Sequence, residues 1–281
     1  MLIDGKLISN QIKTELSKEV EQLKEKYGRS PKLAVILVGE NPASHVYVRN
    51  KEKACEKVGI ENLLIKKDDT ISEEELLEII TQLNNDDMVD GILVQLPLPS
   101  HINEMKVIEA ISPKKDVDGF HPESAASLFL GKDGFVPCTP AGVMELLDAI
   151  NYDLNGKEVV VVGRSNNVGK PVALLALQKN ATVTIAHSRT TNLKEVCARA
   201  DVLIAAVGKA EMITADYVKE GAIVIDIGIN RKADGKLCGD VKFDEVAPKT
   251  SAITPVPGGV GPMTVTLLMK NTVEAYKRGM K

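Results

Sequence analysis

The 281-residue chain has no tryptophan, and aromatic residues make up only 3% of it. The core must therefore be aliphatic, and a surface that reads nucleic acid by stacking bases on rings has little to work with. An excess of positive charge is also missing: 35 Lys and Arg face 39 Asp and Glu, for a net charge of −4. That speaks against nucleic acid or an anionic membrane as the main partner, local basic pockets apart. No apolar run approaches the length that spans a bilayer. The start, MLIDGKLISN, carries Asp4 and Lys6 and lacks the apolar stretch of a signal peptide, so a cytoplasmic location is expected. The four cysteines, Cys55, Cys138, Cys197 and Cys238, lie far apart with no CxxC pair. Neither zinc spacing nor a dense disulfide framework is present, and four reduced, mostly buried thiols are expected. His45, His101 and His121 have no metal-ligand spacing, and no metal is expected.

What is present is an alternation of apolar runs and amphipathic stretches. Hydrophobic content of 44% and charged content of 26% are ordinary for a globular chain of one large or two ordinary domains. Residues 8–27 repeat apolar side chains at helical spacing up to Gly28. KLAVILVG (32–39) is a continuous apolar run of the kind a strand buried on both faces requires, and 62–67 and 90–99 read as two more strands. Ser72 with Glu75 marks a capping box that opens a helix to about Asn84. Residues 101–140 are irregular and hold a domain boundary, and 141–150 form a helix. A second series follows: strands at 157–163, 181–188, 201–208 and 222–230, with helices between, then a Gly/Pro-rich loop and a final helix. Strands and helices alternating in this way predict an α/β fold of βαβ units with parallel sheets.

The stretch from Pro42 to Ile60 predicts a helix with Asn41 as N-cap, Pro42 in the first turn and Gly59 as the stop. Ala43, Tyr47, Lys51, Ala54, Cys55 and Val58 share one face at spacings of three and four. A lysine on the inward face is unusual. Burial would penalise its charged form and bring its pKa towards the range useful for proton transfer, with the Tyr47 hydroxyl as a candidate partner. The competing reading is a snorkelling lysine beside a core tyrosine.

GRSNNVGK (163–170) lies between a strand and a helix start, where free backbone N–H groups and the positive helix end suit a dinucleotide phosphate. It is neither GxGxxG nor a P-loop, since its two glycines are six apart and Pro171 follows the lysine. An NAD site usually carries an acid at the end of the next strand. Here that strand ends His187-Ser188-Arg189-Thr190, a hydroxyl and a cation without an acid, which suits the 2′-phosphate of NADP, with Arg164 and Ser165 able to add to the pocket. Gln95 closes an apolar strand, where ligand sites of parallel sheets gather, and its amide can donate and accept. Asp116 and Asp118 offer carboxylates for an amino-amide edge such as that of a pterin, or an Asx turn before Gly119. His121, before Pro122, reads as loop structure. PGGVGP (257–262) permits close approach of backbone to a ligand, or serves as a hinge.

Taken together, YVRNKEKACEKVGI (47–60), DGILVQLPLP (90–99), SPKKDVDGFHP (112–122), GRSNNVGKP (163–171) and PVPGGVGPMT (255–264) resemble, in order, the signatures of the bifunctional methylenetetrahydrofolate dehydrogenase/methenyltetrahydrofolate cyclohydrolase family. The resemblance covers nearly the whole chain; Asn167 departs from it, where an aliphatic residue is usual. It implies two domains with an active-site cleft between them. One is a catalytic, folate-binding domain at 1–140, with a C-terminal helix at 262–281 packing back on it. The other is a Rossmann-like NADP-binding domain at 141–261. A cytoplasmic homodimer acting on tetrahydrofolate derivatives is implied too, with neither nucleic acid nor membrane as partner. The catalytic lysine falls on Lys51, the tyrosine on Tyr47, the glutamine on Gln95 and the pterin-binding aspartate on Asp118. Further substrate contacts fall on Leu96, Gly258, Gly259 and Pro262. Cofactor contacts fall on Gly163, Arg164, Ser165, Ser188 and, by backbone, Ile229, to which the sequence adds Arg189. The alternatives are a dehydrogenase of another small substrate, a monofunctional dehydrogenase of the same family, and a nucleotide-sensing module without turnover.

Overall fold

The structure is a computed structural model that describes residues 1–280. In chain order the elements are α1 (Gly5–Tyr27), β1 (Lys32–Val38), α2 (Pro42–Val58), β2 (Glu61–Lys67), α3 (Glu73–Asn84), β3 (Gly91–Val94), α4 (Glu104–Ala110), α5 (Pro122–Leu130), α6 (Cys138–Ala149), β4 (Glu158–Val162), α7 (Gly169–Gln178), β5 (Thr182–Ala186), α8 (Leu193–Ala198), β6 (Val202–Ala205), β7 (Ile223–Asp226), β8 (Asn230–Arg231), β9 (Leu237–Cys238), α9 (Phe243–Val246), β10 (Ala252–Ile253) and α10 (Val260–Gly279). They fall into two compact units, one of Gln11–Val136 with the chain from Val265 onward, the other of Met1–Asn10 with Pro137–Thr264.

The first unit is built on a parallel sheet of order β2-β1-β3. Its central strand, β1, is the apolar run 32–38, buried at every position after Lys32. One sheet face packs Ala34, Ile36 and Val38 against Leu76, Ile80 and Leu83 of α3 and Val107 of α4. Helix α2 begins and ends on local signals: the Asn41 side chain accepts from the N–H groups of Ala43 and Ser44, and Gly59 takes the left-handed conformation at φ +87°. From α10, Met269 Sδ meets Cys55 Sγ at 3.6 Å. Tyr276, fully buried, donates its hydroxyl to the Arg29 carbonyl at 2.9 Å. The Arg29 guanidinium stands 4.6 Å from the Tyr276 ring centre and grips both oxygens of Asp90 at 2.7 and 2.8 Å.

Two local expectations change here. The strand expected over 90–99 stops at Val94, because the LPLP that follows carries two prolines without N–H groups to pair. The irregular 101–140 segment contains α4 and α5. Helix α5 starts at Pro122, and His121 is its N-cap, with Nδ1 accepting from the Glu123 N–H at 3.0 Å.

The second unit holds a parallel sheet of order β10-β7-β6-β4-β5. Four consecutive valines, Val159 to Val162, are wholly buried in β4. Val160 and Val162 face a core that includes Leu203 and Ala205 of β6 and Val224 of β7. Strand order reverses at β4: β5 lies on one side and β6 on the other, so the carboxyl ends of β4 and β6 flank a crevice of the kind that binds dinucleotides. The strands are shorter than the apolar runs predict. In place of a strand over 222–230, β7 ends at Asp226, and Asn230 pairs antiparallel with Cys238 in the small β8–β9 hairpin. Met1–Asn10, assigned from sequence to the first domain, belongs here. The Ile3 N–H donates to the Ile253 carbonyl at 2.8 Å, and the Ile253 N–H donates to Met1 at 3.0 Å, which adds a bridge at the β10 edge. The hydrogen bonds a free strand edge needs outweigh sequence proximity.

Candidate active site

The inward face of α2 differs from the one read in the sequence. From Lys51 on it holds, with Lys51 only 9% exposed and Ala54, Cys55 and Val58 buried. In the first half the buried residues are Ser44 and Val48, whereas Ala43 and Tyr47 are exposed. The buried line runs 44-48-51-55-58, alternating steps of four and three, and Tyr47 sits one position round the helix, at its border. Tyr47 is therefore not a core residue: 41% of its surface is open.

Lys51 Nζ donates to Gln95 Oε1 at 2.8 Å. Gln95 follows β3, and its N–H donates to the Ile36 carbonyl of the neighbouring strand at 2.9 Å, so the sheet fixes its backbone. Its Nε2 donates to the Leu96 carbonyl at 2.7 Å, which leaves Oε1 for the lysine. A helix face and a strand end thus bring a buried amine onto an oriented amide. Lys51 is a charge-bearing group out of water on a hydrogen-bonded seat, the environment in which amines do acid–base work.

The two aspartates of KKDVDGFHP separate clearly. Asp116 is 2% exposed and accepts from the N–H groups of Phe120 at 3.2 Å and His121 at 2.9 Å and from Ser124 Oγ at 2.7 Å. It staples the turn to α5, and burial pushes its carboxyl above the usual range against those hydrogen bonds. Asp118, two residues on, is half-buried and stays the candidate for a ligand. In the other unit, Gly258 has φ +107°, and a Cβ on Gly259 would stand 2.5 Å from the Pro255 carbonyl oxygen, so the loop before α10 demands glycine. Pro262 is half-buried in the first turn of α10.

The β4–α7 turn has the properties of a phosphate loop without the usual spacing. Gly163 has φ +140°, and a Cβ there would lie 2.3 Å from the Ala206 carbonyl oxygen. A Cβ on Gly169 would lie 2.3 Å from the Gly163 carbonyl oxygen. The first glycine makes the turn and the second lets α7 pack against the strand, the tasks glycines perform in dinucleotide folds. Ser165 Oγ accepts from the Gly169 N–H at 3.2 Å, while Arg164 and Ser165 are exposed. After β5, His187 Nδ1 accepts from the Arg189 N–H and the His187 N–H donates to Thr190 Oγ1, so the turn is internally satisfied. Ser188 and Arg189 are exposed at the strand end where an acid would repel a phosphate. These residues fit a dinucleotide bearing a 2′-phosphate. Ile229, after β7, is 48% exposed.

Sequence reasoning misses Asp226 and Asp240, two carboxylates buried among the turns that follow β6 and β7. The available signal was an acid closing the apolar run AIVID. Among the described residues no cluster of His, Cys, Asp and Glu is placed to hold a metal ion, and no helix is long and apolar enough to cross a membrane.

Comparison with known proteins places the whole chain in one family. Residues 3–118 match the family model for the tetrahydrofolate dehydrogenase/cyclohydrolase catalytic domain, and residues 137–280 that for its NAD(P)-binding domain. The chain is 61% identical over 277 residues to the bifunctional protein FolD of Agathobacter rectalis, covering 99% of each chain. It superposes on the crystal structure of the bifunctional FolD dehydrogenase/cyclohydrolase of Campylobacter jejuni with a TM-score of 0.97 at 51% identity, again covering 99% of each. The Trypanosoma brucei dehydrogenase-cyclohydrolase, solved with NADP cofactor and inhibitor, matches with a TM-score of 0.95 at 37% identity, covering 100% of this chain and 98% of that one. With both halves of its length matched in order, the chain belongs to the tetrahydrofolate dehydrogenase/cyclohydrolase family.

Proposed function

We propose that Lys51, Tyr47, Gln95 and Asp118 carry the chemistry by which this chain oxidises 5,10-methylenetetrahydrofolate to 5,10-methenyltetrahydrofolate with NADP and hydrolyses the product to 10-formyltetrahydrofolate. The observation that carries the reading is the buried Lys51 amine seated on Gln95 at 2.8 Å. NADP, when bound, supplies the acceptor for the hydride that leaves the methylene carbon. For that step the chain has only to align its two ligands and keep water out. The Gly163–Gly169 turn takes the phosphates, Arg164, Ser165, Ser188 and Arg189 take the 2′-phosphate, and Ile229 meets the cofactor by its backbone.

In the hydrolytic step water adds to the methenyl carbon, a proton is lost, and the ring opens as a proton reaches the departing nitrogen. Lys51 manages these protons, Gln95 holds its amine in place, and Tyr47, one turn earlier, orients it. Asp118 accepts from the amino-amide edge of the pterin, and Leu96, Gly258, Gly259 and Pro262 line the substrate. On this reading the Gln11–Val136 unit is the folate-binding catalytic domain and the Pro137–Thr264 unit the NADP domain. Reduced, buried thiols support a cytoplasmic location, and the family likeness supports a homodimer.

The experiment is an absorbance assay with methylenetetrahydrofolate and NADP or NAD, following NADPH and methenyl product together, and a separate assay of methenyltetrahydrofolate without cofactor. Both activities are expected. Reduction of NADP with no cofactor-free hydrolysis would overturn the bifunctional reading and leave a dehydrogenase alone.

A further inference from the structure

Two carboxylates in the NADP-binding unit have no part in the chemistry above. Asp226 closes β7 and is 3% exposed; Asp240, just after β9, is completely buried. Asp240 Oδ2 accepts from the N–H groups of Val207 at 2.6 Å and Gly208 at 3.0 Å, and Oδ1 from the Lys209 N–H and Asn230 Nδ2, both at 2.9 Å. Asp226 Oδ1 accepts from the N–H groups of Gly228 at 2.9 Å and Asp240 at 3.0 Å, and Oδ2 from the Val241 N–H at 2.9 Å. The two are stacked: Asp226 seats the segment that carries Asp240, and Asp240 gathers the turn after β6. Two glycines clear the space. A Cβ on Gly228 would lie 2.3 Å from Asp240 Cγ, and one on Gly239 would lie 1.8 Å from Asp226 Oδ2.

Burying two anions side by side is costly unless each is fully hydrogen-bonded. An apolar plug would hold a hairpin to a sheet without that cost. What a carboxylate does, and a methyl group does not, is turn several N–H groups inward at once and so fix the outer shape of the turns that carry them. Those turns are 206–209 and 227–230, at the carboxyl ends of β6 and β7. The first walls the crevice where strand order reverses, and its Ala206 carbonyl oxygen lies against Gly163 of the phosphate turn. The second carries the exposed Ile229.

We propose that Asp240, seated by Asp226, is a positioning residue for the cofactor: it holds the 206–209 and 227–230 turns in the shape NADP binds. Neither carboxylate touches the ligand. The inference rests on NADP occupying this unit, as the proposed function has it.

The test is calorimetric titration of NADP into the full chain and its Asp240→Asn variant, well below the melting temperature of each, with steady-state kinetics of both. Asparagine keeps the shape but turns an NH2 towards backbone donors. The Kd and KM for NADP should rise about ten-fold, with the KM for methylenetetrahydrofolate unchanged; a merely structural loss would lower the melting temperature and leave the NADP Kd alone. A folded variant binding NADP within three-fold of the parent overturns the proposal, and a larger loss confirms it. If Asp240→Asn does not fold, Asn230→Ala, which removes one donor to Asp240, decides by the same three-fold line. A parent chain that binds no NADP would overturn the cofactor reading itself.

Discussion

Lys51 Nζ and Gln95 Oε1 lie 2.8 Å apart although 44 positions separate the residues. The amine comes from the middle of a helix and the amide from the end of a strand, so neither depends on a mobile loop. Replacing Lys51 by methionine keeps most of the side-chain volume and removes the amine proposed to carry the proton. Cyclohydrolase activity should fall at least about 100-fold, the usual contribution of a positioned acid–base group, while NADP affinity stays within about two-fold. An undiminished hydrolysis rate would defeat the assignment.

Gln95→Leu removes the acceptor but leaves the lysine. A buried amine without its partner is mispositioned, so cyclohydrolase should fall roughly ten-fold or more. In Lys51→Met, the further change at Gln95 should add little if the proposed pair acts as one device. Additive losses in a double-mutant cycle would separate the two roles.

Arg189 is exposed after β5, where an NAD site usually carries an acid. Arg189→Ala should raise the KM for NADP about ten-fold through loss of one charge-assisted phosphate contact and change the KM for NAD less than about two-fold. Equal effects on both cofactors would place the 2′-phosphate elsewhere.

Asp226 bears on pH. Burial, aided by the neighbouring negative charge of Asp240, pushes its carboxyl up to about 6 despite three backbone N–H groups that act the other way. A carboxyl raised in the folded state binds its proton more tightly there than in the unfolded chain. Its contribution to stability therefore grows as pH falls from 7 through 6 towards 4, and is lost as pH rises through 6. Melting temperatures compared between pH 7.5 and 5 should show this component in the parent and not in Asp226→Asn. An identical pH dependence in both would remove Asp226 as its source.

Much of this was readable from the chain. The valine run of β4 and the apolar run of β1 are strands because nothing polar interrupts them, and Asn41, Pro42 and Gly59 fix α2 locally. Lys51 stood out because a charge lay where the period required an apolar group. Less legible was anything that depends on distant partners. Tyr47 fits the inward period as well as Val48 does; the structure buries the smaller residue. The pairing of Ile3 with Ile253 has no local signature. Asp226 sits inside the apolar run 222–230 and Asp240 looks like a solvated loop acid, and the N–H groups that surround each come from distant turns. Asp116 differs from Asp118 by its three donors, which the sequence does not show.

Asp90 holds Arg29 by both oxygens and also accepts from the Lys32 N–H at 2.8 Å. Removing one member of such a mostly buried pair leaves an uncompensated charge, so Asp90→Ala should destabilise the chain by about 3 kcal/mol. Urea denaturation reads this directly, and a loss below about 1 kcal/mol would reclassify the pair as a solvated one.

The division at 10/11, 136/137 and 264/265 means that the polypeptide passes three times between its two units. No single proteolytic nick frees either half, and a truncated chain starting at Pro137 would lose the residues that complete its β10 edge while keeping the apolar end of α10 stripped of Cys55 and Arg29. Neither half is a portable cassette: a fusion or cut at one junction would break both.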